Sequence, residues 1–117
     1  MSDIVERLQA CGTRRIVASV FEFMNSDHSW HTQRDIERKA DLRQPEVSTA
    51  LKELAPYIEI RKLDHNEGNG KGRHISEFMM SEVSSKAFIE TIINNAESEA
   101  RIKEAALEKL RELIVGL

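Results

Sequence analysis

The feature that most constrains this fold is a change of hydrophobic period at Pro56. Before it, apolar residues recur at helical intervals, as in the row Ile16, Val17, Val20, Phe21 and Met24. After it, residues 57–64 alternate apolar and polar side chains, which is the period of a β-strand. Residues 66–72 hold three of the chain's five glycines, and residues 73–81 follow as a returning strand. The sequence therefore predicts one glycine-tipped hairpin in an otherwise helical chain.

The same alternation predicts how the hairpin side chains are divided between the two faces of the sheet. Ile58 and Ile60 should share one face of the first strand. In the returning strand, Ile75 and either Phe78 or Met79 should point inward, and the exact register stays open.

The elements ahead of the hairpin have local start signals. Residues 3–11 predict a short amphipathic helix, and Thr13 is the expected N-cap of the helix that follows. Residues 29–31 would supply a brief edge strand, in which Trp30 is interpreted as a lid over the core. Thr32 is the expected cap of a helix over residues 33–40.

Pro45 marks the start of a further helix over residues 44–54. Proline is tolerated in the first helical turn, where its missing N–H would have had no partner within the helix. Residues 41–43 then form only a tight turn. The residues expected to lock the two helices together are Ile36, Ala40, Leu42, Val47, Leu51 and Leu54.

Residues 81–117 predict a helix that packs against another helix. They contain no proline and no glycine before Gly116. Apolar residues recur in alternating steps of four and three, which is a heptad pattern. The candidate dimer-interface residues are Ile89, Ile93, Ala96, Ala100, Leu107, Leu110 and Ile114. Asn94 and Asn95 leave open whether there is one helix or two. The helix would either fold back on its own domain or pair with a second copy, and the small core that 117 residues provide favours a homodimer.

The predicted elements follow in the order helix, short strand, helix, tight turn, helix, strand, glycine-rich tip, strand and helix. This is the order of a winged helix-turn-helix, a mainly α (α+β) fold. We expect that domain over residues 1–80, and a C-terminal helical dimerisation element over residues 81–117. Helix 44–54 would then project its polar side outward to enter a major groove of double-stranded DNA, beside the wing 66–73.

Two stretches also carry a family resemblance. The segment TQRDIERKADLRQPEVSTALKEL, residues 32–54, resembles the helix-turn-helix of archaeal and bacterial winged-helix transcriptional regulators of the ArsR/MarR/TrmB type. Its Gln-Pro-Glu-Val-Ser run matches their frequent Gln-Pro-x-Val-Ser helix start. GNGKGRHI, residues 68–75, is similar to their Gly-Lys-Gly-Arg wing, with His74 where proline is common. The resemblance covers residues 13–80 and implies a DNA-binding dimer that acts on promoters. Metal sensors of the ArsR type use paired thiolates, which Cys11 alone cannot supply.

Eleven side chains of the motif and the wing are candidate DNA contacts. They are Thr32, Gln33, Arg34, Arg43, Gln44, Glu46, Ser48, Thr49, Lys52, Lys71 and Arg73. A glutamine can pair with adenine through two hydrogen bonds, and hydroxyl groups can bond to several bases. Glu46 would accept from cytosine or repel phosphate. Residues 32–34 and Arg43 are expected to contact phosphates, and Lys71 and Arg73 are the residues through which the wing is expected to contact DNA.

Charge and composition limit the other functions. The net charge is −3, yet residues 28–74 hold nine bases against eight acids. No phosphate loop, nucleophile elbow or zinc-protease helix is present, so we expect no enzyme, and no cofactor or metal is implied. The single cysteine and the absence of a long apolar run or a signal pattern favour the cytoplasm. The rival interpretation is a winged helix that binds protein or RNA within a larger assembly. The effector, if there is one, stays open.

Overall fold

The computed structural model describes residues 3–65 and 73–117, with residues 64, 65, 73 and 74 described for their backbone only. The helices are α1 (Asp3–Ala10), α2 (Arg15–Ser26), α3 (Gln33–Ala40), α4 (Gln44–Glu53) and α5 (Glu82–Gly116). The strands are β1 (His31–Thr32), β2 (Glu59–His65) and β3 (Arg73–Met79), and a short 3-10 helix spans Ala55–Tyr57. This element order confirms the winged helix-turn-helix expected from the sequence.

The sheet has three antiparallel strands in the order β1-β3-β2. In the hairpin, Ile60 lies opposite Phe78, and β1 joins the other side of β3 by placing His31 opposite the same residue. The predicted edge strand exists, but it spans His31–Thr32 and begins two residues later than expected. Strand β1 therefore connects the sheet directly to the start of α3.

The core lies between the helices and one end of the sheet. Its buried apolar side chains are Leu8, Val17, Ala18, Val20, Phe21, Met24, Ile36, Leu42, Val47, Ala50, Leu51, Leu54, Phe78, Met80 and Phe88. Phe21 stacks on Phe88 with ring centroids 4.6 Å apart, and Tyr57 meets Phe88 edge-on at 5.3 Å. Each fully buried side chain of this size contributes about 1.5–3 kcal/mol. The α5 helix is thereby anchored to the domain through Phe88.

One prediction about the hairpin was wrong in part. Phe78 is buried as expected, but Ile75 is 39% exposed. Ile75 and Phe78 are three residues apart, so an alternating strand turns them to opposite faces. Ile60 lies opposite Phe78 on the outer strand β2 and is 55% exposed.

The start of α2 also differs from the expectation. Its N-cap is Arg14, which makes no side-chain capping bond, whereas Thr13 was expected there. Gly12 adopts φ +97°, and Thr13 N–H donates to Leu8 O at 2.9 Å, which closes α1. Thr13 therefore belongs to the end of α1, and its hydroxyl is buried with no hydrogen-bond partner among the described residues.

The α5 helix is one continuous helix of 35 residues, so Asn94 and Asn95 do not interrupt it. Ser81 caps it by accepting from Ser84 N–H at 3.1 Å. Its first half packs on the domain, but every residue from Glu97 to Leu117 is exposed. At 1.5 Å per residue this exposed end extends for about 30 Å, and the molecule measures 79 × 25 × 24 Å. The fold-back alternative is therefore not what the chain adopts. No helix in the described part of the chain has the length and hydropathy to cross a membrane.

Candidate nucleic-acid interface

The α4 helix is amphipathic in a way that fixes its orientation. Its buried side consists of Val47, Ala50 and Leu51, and Leu54 follows as the C-terminal cap residue. The helix thus ends one residue earlier than the 44–54 predicted from the sequence. Residues three and four apart lie on the same side of a helix, so Pro45, Thr49 and Lys52 share the opposite, exposed side, and Gln44 is exposed at the helix start. The core holds α4 by its apolar side and leaves a polar side facing outward.

Some of the polar side chains on α4 already have partners within the protein. Arg43 N–H donates to Glu46 Oε1 at 3.0 Å, and Arg15 Nη2 lies 3.6 Å from Glu46 Oε2. The Thr49 hydroxyl donates to Pro45 O at 2.9 Å. The carboxylate of Glu46 therefore caps its own helix and pairs with α2, and neither role was expected from the sequence.

Gln33 connects the two helices of the motif. Its Nε2 donates to Ser48 Oγ at 2.9 Å and to Gln44 O at 3.4 Å. Both bonds cross from α3 to α4, so they help to fix the angle between the helices. A residue predicted to contact phosphate thus also positions α4. The sequence carried no signal for this pairing, because the two residues are 15 positions apart.

The start of α3 is closed by the cap that the sequence predicted. Thr32 Oγ1 accepts from Asp35 N–H at 3.2 Å, and Thr32 N–H donates to Asp35 Oδ2 at 3.2 Å. Hydrogen bonds from the Thr32 backbone and then from its side chain hold the pKa of Asp35 below its usual value of 3.8. An open cleft of about 360 Å³ lies between this helix start and β3, lined by Thr32, Gln33, Arg34, Ile75, Ser76 and Phe78. A helix start beside a cleft favours an anion, because the N-terminal end of the helix dipole is positive.

Three candidate cations around α4 have no ion pair with another described residue. They are Arg34, Arg43 and Lys52, and all three are exposed. By contrast, Arg14 pairs with Glu53, and Arg15 lies near Glu46. Arg38 and Lys39 at the end of α3 are likewise exposed and without an ion pair to a described residue. The charge of these five cations therefore remains available to an external anion.

The wing is described only at its base. Lys71 lies outside the described residues, and Arg73 is described by its backbone alone, paired with His65 in the sheet. Arg61 points to Glu77, with Nη2 and Oε1 2.7 Å apart, and its guanidinium lies 4.3 Å from the centroid of the Trp30 ring. The interpretation of Trp30 as a core lid was wrong: its half-buried ring lies outside the buried core and supports Arg61.

The two histidines near the end of α2 have structural partners. A His28 ring nitrogen lies 2.7 Å from Met80 O, and a His31 ring nitrogen lies 3.0 Å from Asp27 O. Hydrogen bonds from Ser29 lower the pKa of Asp27. Within residues 3–65 and 73–117, no group of three or more His, Cys, Asp or Glu side chains is placed to hold a metal ion.

Comparison with known proteins adds information at the level of the fold. No family model matches the sequence, and no curated protein matches it significantly. Seven solved protein chains match the structure. One is described as a "possible transcriptional regulator" from Methanosarcina mazei Go1; it has a TM-score of 0.63 and 15% identity, over 90% of this chain and 87% of that one. The S. aureus MepR–DNA complex matches with 15% identity over 92% of this chain and 86% of that one. Its TM-score of 0.49 is too low to support a structural argument. The similarity to the Methanosarcina protein shows a shared winged helix-turn-helix fold.

Proposed function

We propose that this protein is a cytoplasmic, homodimeric DNA-binding transcriptional regulator of the ArsR/MarR/TrmB-like type. In this proposal α4 enters a major groove, and the wing, residues 66–73, contacts the flanking backbone. The single observation that carries the proposal is the exposed polar side of α4, held outward by a buried apolar side and surrounded by unpaired cations. The description of the Methanosarcina neighbour as a possible transcriptional regulator agrees with it.

Different residues would perform different parts of DNA recognition. Gln44 is exposed at the helix start, where an amide can form two hydrogen bonds with adenine. Arg34, Arg43 and Lys52 would neutralise phosphates. Ser48 accepts a bond from Gln33, and its hydroxyl can still donate to a base or a phosphate. Glu46 is proposed to act mainly as a helix cap, since its carboxylate is already engaged.

The dimer in this proposal uses the exposed end of α5. Ile89 packs against the protein's own core, so the free part of the apolar row begins at Ile93, which is 46% exposed. Leu110 and Ile114 are 57% and 71% exposed. Apolar surface of this extent on one side of a helix is characteristic of a protein interface. A second copy offers the same surface.

A fluorescence-anisotropy titration with random-sequence duplex DNA at two salt concentrations tests the DNA-binding part. Arg34, Arg43 and Lys52 give six phosphate contacts per dimer, and Lys71 and Arg73 of the wing would add four more. The logarithm of affinity should then fall with the logarithm of salt at a slope between about −5 and −9. Lys52→Ala should reduce the magnitude of that slope by about 2, because each dimer loses two contacts. Lys86→Ala removes an exposed cation from α5 and is the matched control. No binding by the folded wild-type protein, or a salt-independent affinity, would contradict the proposal.

A second candidate function is protein or RNA binding within a larger assembly. The observation that favours it is the net charge of −3, combined with the small number of unpaired cations near α4. The same titration with single-stranded RNA separates this candidate, since an RNA-binding module would prefer the RNA. A protein-binding module would bind neither nucleic acid.

A further inference from the structure

The exposed end of α5 carries charged residues at positions that restrict how a second helix can pair with it. Lys103 occupies the apolar row itself, in the step between Ala100 and Leu107. Glu104 and Arg111 lie seven residues apart along one border of the row. An apolar row alone would accept either orientation of a partner helix, but these charges do not.

A parallel pair would place each residue of the row against its own copy. Lys103 would then face Lys103 of the partner subunit in the middle of the interface, where like charges repel. The two preceding layers would be formed by Ala96 and Ala100, which are too small to fill the space between the helices. Three successive layers, at the start of the exposed end, would therefore contribute little to the stability of a parallel dimer.

An antiparallel pair resolves all three problems when Leu107 faces Leu110 of the partner subunit. In that register Lys103 lies opposite the partner's Ile114, and its alkyl chain can cover that side chain while the ammonium group reaches solvent. Ala100 lies opposite the partner's Leu117, so a small residue meets a large one. Ala96 no longer faces its own copy. In this register the weak positions of the row are therefore not stacked against one another.

The charged residues along the border of the row favour this register over the register shifted by one heptad. Equivalent border positions of the two helices face each other in an antiparallel pair, so Glu104 would lie beside Arg111 of the partner subunit, twice per dimer. A shift by one heptad toward the domain would instead bring Glu104 against its own copy. Within one chain Arg111 Nη1 lies 3.2 Å from both Glu104 Oε1 and Glu108 Oε2, and all three side chains are more than half exposed. This cluster can therefore extend across the interface.

We infer that α5 binds a second copy of this chain as an antiparallel helix pair, centred between Leu107 and Leu110. The inference rests on the dimer part of the proposed function and is independent of DNA binding. The apolar row continues on the side of α5 that carries Phe88 and Ile92 into the domain. The partner helix therefore lies in line with the domain, and the two DNA-binding domains stand at opposite ends of the pair.

Distances between spin labels test the orientation and the register together. In a Cys11→Ser background, one cysteine is introduced at a time by Ser98→Cys, Ala105→Cys or Glu112→Cys. These three positions are seven residues apart on the polar side of α5, and all are exposed. Pulsed dipolar spectroscopy on the labelled full-length protein, without DNA, then measures the distance between the two labels of a dimer.

The proposed register makes the three positions unequal. At 1.5 Å per residue, labels at position 98 should be separated along the helix axis by about 32 Å, and labels at positions 105 and 112 by about 11 Å each. Three equal distances would show a parallel pair and overturn the inference. Equal distances at positions 98 and 112, with a shorter one at 105, would overturn the register. Absence of dipolar coupling at all three positions would show that the second copy is not the occupant. A dimer that gives the expected set of distances but does not bind duplex DNA would contradict only the proposed DNA-binding function.

Discussion

The α4 helix and the exposed end of α5 are both amphipathic, but only α4 has its apolar side covered by the rest of the chain. The core covers the apolar side of α4, where Val47 and Leu54 are fully buried, and leaves the polar side outside. Both sides of the exposed end of α5 face solvent, and Leu110 and Leu113 there are 57% and 65% exposed. Exposed polar groups are satisfied by water, whereas an exposed apolar row is costly. A single chain therefore completes α4 structurally and leaves α5 incomplete.

The largest effect expected from this comparison is on folding. Leu54→Ala removes a fully buried side chain beneath α4 and should lower the free energy of unfolding by about 2–5 kcal/mol. Ile102→Ala on α5 removes a residue that is 68% exposed and should change it by no more than about 0.5 kcal/mol. Urea titrations followed by circular dichroism measure both. Equal losses would show that the end of α5 is covered after all.

The next effect is on association. Leu107→Lys together with Leu110→Lys should weaken the dimer by at least about 100-fold, because two apolar contacts per subunit are replaced by charges. Ser98→Lys together with Ala105→Lys adds the same charge to the polar side of the helix and serves as the control. Light scattering over a range of protein concentrations reports the mass. A dimer that survives the first pair of substitutions would move the interface away from α5.

A smaller difference in the free energy of unfolding is expected between a polar contact that joins two helices and one on the surface of α5. Gln33→Ala removes the hydrogen bond to Ser48 and should lower the free energy of unfolding by about 1 kcal/mol. Arg111→Ala removes two ion pairs between exposed side chains and should cost less than about 0.5 kcal/mol in a protein kept monomeric by the lysine substitutions. Thermal melts compare the two. The reverse order would mean that Gln33 does not join α3 to α4 in solution.

The smallest effect concerns pH. Because the folded pKa of Asp35 is lowered, its contribution to stability is fully present above the ordinary value of 3.8 and is lost as the pH falls through the lowered folded value. Wild-type protein should therefore exceed Asp35→Asn in stability at neutral pH, and the difference should shrink at acidic pH. Urea titrations at neutral and acidic pH measure it. A difference that grows on acidification would show that the cap of α3 has been misassigned.

Local signals in the sequence predicted much of the fold. Thr32 caps α3 as expected, since a cap needs only residues three positions apart. Pro45 likewise marks the first turn of α4. The change of period at Pro56 located the hairpin because alternation belongs to each strand alone. Winged-helix topology followed from the order of these elements.

The missed features depend on which elements meet in three dimensions. Trp30 supports Arg61 across 31 residues, and Gln33 bonds to Ser48 across 15. No periodicity in one element reveals such pairs. Thr13 has a capping residue type, but the turn at Gly12 assigns it to the end of α1. The eleven candidate DNA contacts remain a prediction, because burial and hydrogen bonds within one chain do not identify a ligand.

An NMR titration of the isotope-labelled protein with duplex DNA shows which surface of the protein binds the duplex. If the polar side of α4 meets the duplex, the amide signals of residues 44–52 and of Thr32–Arg34 should shift or broaden most. Those of residues 97–117 should stay unchanged. Shifts concentrated on α5, or no shifts at a concentration of DNA well above that of the protein, would contradict DNA binding through α4.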